Sequence, residues 1–148
     1  MRFEVLGFAG AAPLQGACSS YVVATERTTV LLDCGPGTLE RLWRRELLGT
    51  LDAIVISHMH VDHVLDLLPL SGEVVGALLD GRRPALYVPR GDGPRVLAGM
   101  EAAFRRDGAA PAESRFARAF EIMEYDAADT LALGDLTLTF AATAHPQP

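Results

Sequence analysis

The chain has 148 residues, a formal net charge of −6 and hydrophobic residues at 49% of its positions. With a sequence pI near 5.1 and a mean hydropathy of +0.19, it can bury the core of one domain, and it is excluded as a protein that coats nucleic acid through a broad basic surface. No apolar run approaches the roughly 18 residues of a membrane span. The start alternates like a strand rather than a signal peptide, and Cys18 and Cys34 make neither a CxxC pair nor a disulfide framework, so a reducing cytoplasm is expected.

In chain order, Arg2–Leu6 alternates and predicts a first strand. The glycine-rich run from Gly7 to Pro13 predicts a loop, with no GK[ST] or GxGxxG to make it a phosphate cradle. Residues 20–25 and 28–33 predict a hairpin about Glu26-Arg27. Residues 38–48 predict an amphipathic helix closed by Gly49, and residues 52–56 a buried strand. Residues 64–68 have apolar spacing suited to a helix, and 69–79 predict a second, mostly apolar one. A strand at 85–89, a helix at 94–106 with Pro94 near its first position, a loop at 109–114 and a strand at 120–125 follow. Residues 130–133 and 136–140 predict a second hairpin about Gly134-Asp135. Alternating strands and helices predict an α/β (α+β) domain over residues 1–148.

The chemistry concentrates at Ser57-His58-Met59-His60-Val61-Asp62-His63. Three of the four histidines and one carboxylate fall in six positions, at the C-terminal end of a predicted strand and the start of a helix. That edge of an open sheet is where ligands bind, and imidazole and carboxylate are ligands for zinc and its neighbours. His58 and His60, two apart on an extended turn, can aim at one ion. Asp62 and His63 diverge by about 100° on a helix and suit a second. Asp33 ends a predicted strand; it either caps the turn or fixes a histidine ring through its spare N–H. Asp66, Asp129 and Asp135 read as helix-surface or turn residues. His145 precedes Pro146, which biases it toward an extended conformation at the end of the last strand.

His58-x-His60-x-Asp62-His63 resembles the HxHxDH signature of the metallo-β-lactamase-fold hydrolases. Leu6-Gly7, the run Leu31-Leu32-Asp33-Cys34-Gly35-Pro36-Gly37-Thr38, and Thr143-Ala144-His145-Pro146 extend the likeness over essentially the whole chain. Within that superfamily it is most similar to the branch holding ribonuclease Z and small phosphodiesterases, including cyclic-nucleotide phosphodiesterases. The resemblance implies an αββα sandwich of which this chain supplies about the first half. It implies that His58, His60 and His145 hold one ion, that Asp62 and His63 hold another, and that Asp33 stands beside them. It also implies a catalytic Asp62 that orients the nucleophile or takes its proton. Zinc, two ions in the complete site, is the implied cofactor, with manganese or iron as alternatives. A bridging Asp and a last His belong to a C-terminal part that this chain lacks.

The implied activity is a di-zinc phosphodiesterase acting on RNA or cyclic nucleotides. A substrate that is a small phosphodiester or RNA, no membrane, and a homodimer or completion by another chain are the expected partners. Two alternatives stay open: an inactive half-domain that pairs with another chain, and a lactonase- or thioesterase-type hydrolase on the same fold.

Overall fold

The computed structural model describes residues 1–10, 13–14, 16–72, 80–104 and 114–142. Among them, six strands form one sheet in the order β1-β2-β3-β4-β5-β6: β1 Arg2–Gly7, β2 Ser20–Ala24, β3 Thr29–Leu32, β4 Ala53–Val55, β5 Ala85–Pro89 and β6 Glu121–Tyr125. The first three pair antiparallel through short connections, and β3 to β6 run parallel. Parallel neighbours require crossovers, which here carry the helices: α1 Thr38–Arg44, α2 Val61–Val64, α3 Leu67–Leu70, α4 Asp92–Ala103 and α5 Arg115–Ala119.

Side chains alternate between faces along each strand. Leu31, Ile54, Leu86 and Val88 point to one face, where they pack in a single cluster with Leu42 of α1, Leu67 and Leu70 of α3, Leu97 of α4 and Phe116 of α5. Val30, Ala53 and Val55 point to the other face. There β7 Thr130–Leu133 and β8 Leu136–Thr139 form a separate two-stranded sheet whose Leu133 joins the smaller cluster. This hairpin covers part of the second face. Asp135 in its turn accepts hydrogen bonds from the hydroxyls of Thr25 and Thr28, each at 2.7 Å, and so pins the hairpin to the β2–β3 turn.

Several helix boundaries differ from those expected. The helix predicted to run to Leu48 ends at Arg44, followed by a 3-10 turn at Leu48–Thr50. Glu46 sits in the left-handed region (φ 56°), and Leu47 N–H reaches Leu42 O while Glu46 N–H reaches Trp43 O, both at 3.0 Å. This is a Schellman stop with Glu where Gly is usual, and burial of Leu47 and Leu48 holds it. α4 starts two residues before Pro94 and ends at Ala103. α5 fills residues 115–119, between the expected loop and strand and given no element from the sequence, with the Ser114 side chain accepting from Ala117 N–H as its N-cap. Of the helix expected at 69–79, residues 69 and 70 close α3, and 73–79 lie outside the described residues.

Candidate functional site

The C-terminal ends of β3, β4, β5 and β6 lie side by side, as the parallel register requires. Asp33 follows β3 at once, Ser57 to His60 follow β4, Arg90 follows β5, and Tyr125 closes β6. Residues far apart in sequence are thereby brought to one rim.

Asp33 is buried at 6% exposure and has φ 59°, a left-handed conformation that Asp tolerates better than most residues. Its carboxylate accepts from Ser57 N–H at 2.7 Å and from the Ser57 hydroxyl at 2.9 Å. The second oxygen also takes the Nδ1–H of His63 at 2.7 Å. A carboxylate against Nδ1 fixes the tautomer, so Nε2 of His63 is the nitrogen with a lone pair to offer. Asp33 thus contacts the ring of His63 directly.

The same loop is locked from below. Cys34 N–H donates to His63 O at 2.7 Å and Asp66 N–H to Cys34 O at 3.1 Å. A Cβ on Gly35 would overlap the backbone carbonyl oxygen of Asp62, so only glycine lets these two turns touch. Asp66, expected as helix surface, is half-buried and accepts from Leu39 N–H at 2.9 Å in the first turn of α1. Burial raises its pKa more than the amides of Leu39, Gly37 and Thr38 lower it.

The imidazoles gather on this scaffold. The ring of His58 lies 4.0 Å from that of His63 and 4.6 Å from that of His60, centroid to centroid. His58 Nδ1 is 3.0 Å from the Ser57 hydroxyl. Asp62 and His63 are neighbours on α2, yet an Asp62 carboxylate oxygen sits 3.5 Å from His63 Nε2. Burial lowers the His63 pKa, but the hydrogen bond from Asp33 and the charges of Asp33 and Asp62 more than offset it, and the value ends above that of ordinary histidine. Both thiols are buried. Burial pushes Cys34 well up, helped by the charges of Asp66 and Asp33, which keeps it a neutral packing group.

By donor chemistry this set suits a zinc-like ion: neutral imidazoles, one carboxylate, and a ring held by an outer acid. Among the described residues, no three of these donors close on a single point. His145, expected as a further ligand, lies outside the described residues.

Beside His58 and His60 opens a cleft of about 850 Å³, walled by Arg90, Arg95, Tyr125 and Phe140 among others. Arg90 is paired with Asp126 at 2.7 Å and Arg95 with Asp92 at 2.9 Å. Sequence reasoning assigned no role to Ser57, Arg95 or Tyr125. Ser57 was detectable as the first residue past the strand expected at 52–56, but its partner Asp33 is 24 positions away.

The site can be set beside known proteins. Over 150 residues the chain is 33% identical to ribonuclease Z of Methanopyrus kandleri, covering 100% of this chain and 47% of that protein. It superposes on the crystal structure of the metallo-beta-lactamase fold protein YhfI from Bacillus subtilis with a TM-score of 0.74 and 25% identity, covering 98% of this chain and 55% of that one. On the short form of human tRNase Z the TM-score is 0.61 at 26% identity, covering 82% and 44%. The fold is thus the mixed α/β metallo-β-lactamase fold, and the chain spans about half the length of the relatives it matches. Residues 28–148 match the beta-lactamase superfamily domain, and the chain belongs to that superfamily.

Proposed function

We propose that the chain carries the histidine–aspartate part of a metal-dependent hydrolase centre that cleaves phosphodiester bonds, in RNA or in a cyclic nucleotide. The observation that carries this reading is the triple grip of Asp33 on Ser57 N–H, Ser57 Oγ and His63 Nδ1. An ordinary surface turn of histidines has no need of a buried carboxylate that fixes one ring, whereas a metal site does.

In this reading His58, His60 and His145 would hold one zinc, and Asp62 and His63 a second. Such ions, when bound, would supply Lewis acidity toward a phosphoryl oxygen and make water more acidic, toward a pKa of about 7. Asp33 keeps the His63 lone pair turned outward. Asp62 orients the attacking water and accepts its proton at a carboxylate oxygen. The cleft beside His58 and His60 takes the substrate, with Arg90 and Arg95 on its wall. Their ion pairs are more than half exposed and correspondingly weak, so a phosphate can compete for them. Ribonuclease Z and tRNase Z among the relatives favour a phosphodiester over a lactone or thioester.

We place residues 1–148 in one domain of a cytoplasmic protein. Among the described residues no helix is long and apolar enough to cross a membrane. A homodimer or a second chain completes the sandwich, a reading favoured by Phe3 at 61% and Val5 at 44% exposure on β1.

The test is metal content per chain together with hydrolysis of bis(p-nitrophenyl) phosphate, then a panel of 2′,3′- and 3′,5′-cyclic nucleotides and precursor tRNA. Zinc binding with turnover, both lost in His60→Ala, is the expected result. Unchanged turnover in a zinc-replete His60→Ala protein overturns the assignment.

A further inference from the structure

The ladder between β4 and β5 stops one hydrogen bond early, at the point where the histidine turn leaves the sheet. Its bonds alternate as parallel strands require: Ala85 N–H donates to Asp52 O at 3.0 Å, and Ile56 N–H to Tyr87 O at 2.9 Å. The next donor in that alternation is the amide of residue 89, aimed at the carbonyl of Ile56. Residue 89 is proline and has no N–H. The following amide cannot substitute, because Arg90 N–H faces the other way and donates to Tyr125 O on β6 at 2.9 Å.

Ile56 is fully buried, and a buried carbonyl without a donor is costly. The missing donor comes from two strands away. The Tyr125 hydroxyl donates to Ile56 O at 2.7 Å and lies 3.4 Å from Ser57 O. Its ring is stacked on Phe140 at 4.2 Å and 19°, just past β8, which fixes the direction from which the hydroxyl arrives.

We infer that Tyr125 replaces the ladder donor that Pro89 removes, and that it thereby sets the direction in which the turn bearing Ser57, His58 and His60 leaves β4. The proline is what frees the turn. With an N–H at position 89, β4 would remain paired to β5 beyond Ile56, and Ser57 would be held in line with the strand. With the proline alone, the Ile56 carbonyl would be unpaired and the turn loose. The phenol gives one anchor at the pivot. Tyr125 reaches no reacting group in this arrangement and is a positioning residue; its effect on metal binding rests on the function proposed above.

The test uses amide hydrogen exchange on the metal-free chain, followed by zinc affinity by chelator competition and the visible spectrum of the cobalt-loaded protein. Tyr125→Phe keeps the ring stacking and removes the hydroxyl. Exchange at Ile56 and Ser57 is expected to speed up by about tenfold, with amides of β2 unchanged. Zinc affinity is expected to fall roughly tenfold and the cobalt spectrum to shift. Adding Pro89→Ala returns an N–H to the ladder, and exchange at Ile56 and Ser57 should revert toward the wild-type rate. In the Pro89→Ala background, Tyr125→Phe should carry little further penalty, which gives a reading even if Tyr125→Phe alone does not fold. Wild-type exchange at Ile56 and Ser57 in Tyr125→Phe, or the same acceleration with and without Pro89→Ala, overturns the inference. A wild-type chain that binds no zinc sinks the proposed function instead, and the exchange measurement still decides the role of Tyr125.

Discussion

The two faces of the six-stranded sheet solve the burial problem differently. On one, Leu31, Ile54, Leu86 and Val88 meet leucines and phenylalanines from α1, α3, α4 and α5 in one continuous cluster. On the other, small residues such as Ala53 and Val55 meet a single hairpin, and Phe3 and Val5 stay exposed beyond its reach. The helical face buries the larger cluster. The hairpin face is thinner, yet it carries Tyr125 to the end of β4. The site sits where both meet, held by Asp33 above the helical face and by Tyr125 from the hairpin face.

The comparison breaks most directly on a matched pair of leucines. Leu86 is fully buried on the helical face and Leu133 is 6% exposed on the hairpin face. Leu86→Ala should cost about 4 kcal/mol, because rigid neighbours on both sides cannot collapse into the cavity, and Leu133→Ala about 2 kcal/mol, because a hairpin can settle. Urea midpoints of the metal-free chain, compared at equal slope, measure both. Equal losses would show that the hairpin is as integral to the core as the helices.

A second test strikes the helical-side anchor alone. Asp33→Asn keeps the shape and removes the charge, and zinc affinity should fall roughly 10- to 100-fold. The pKa of His63, raised in the native chain, should drop in the variant and can be followed by NMR. A raised histidine pKa contributes stability that is fully present below the unfolded value of about 6.5 and is lost as pH rises through the folded value. The metal-free native chain should therefore lose stability across that window, and Asp33→Asn should lose less.

These two residues also show what the sequence could and could not reveal. The candidate donors at 58, 60, 62 and 63 were legible because they lie within six positions of the chain, and so were most strands, whose apolar alternation declares itself locally. Asp33 was legible only as two alternatives, because its partners Ser57 and His63 are 24 and 30 residues away and the parallel register alone brings them together. The end of α1 was hidden for a different reason: glycine normally marks such a stop, and here Glu46 takes the left-handed position. The bond from Tyr125 was invisible, since its acceptor Ile56 is 69 residues away and its cause is an N–H that Pro89 lacks.

A smaller effect should come from the hairpin's own anchor. The hydroxyls of Thr28 and Thr25 hold the Asp135 carboxyl below the usual carboxylate range. A lowered carboxyl pKa gives stability that is present above the unfolded value of about 3.9 and is lost as pH falls through the folded one. Asp135→Ala should flatten the acid limb of the stability profile and speed amide exchange in β7 and β8. Exchange in β4 should be unaffected, because Tyr125 belongs to β6 and its bond to Ile56 O does not pass through the Asp135 anchor.

The smallest signal lies at high pH. Burial, with the charge of Asp33 second, pushes the Tyr125 phenol up to about 12, against about 10 in an unfolded chain. Here the unfolded state releases the proton first, so stability from the neutral phenol is intact below pH 10 and declines between about 10 and 12. Tyr125→Phe should remove that part of the decline, read from urea midpoints at pH 9 and 11 in the metal-free chain. The same substitution weakens the fold at every pH by leaving the Ile56 carbonyl short of a donor. The two effects separate by slope and offset: the hydrogen bond sets the height of the profile and the ionisation sets its tilt. A variant that changes the tilt without lowering the height would mean that the phenol is buried on the hairpin face without anchoring β4, and the hairpin face would then be a cover for the sheet and nothing more.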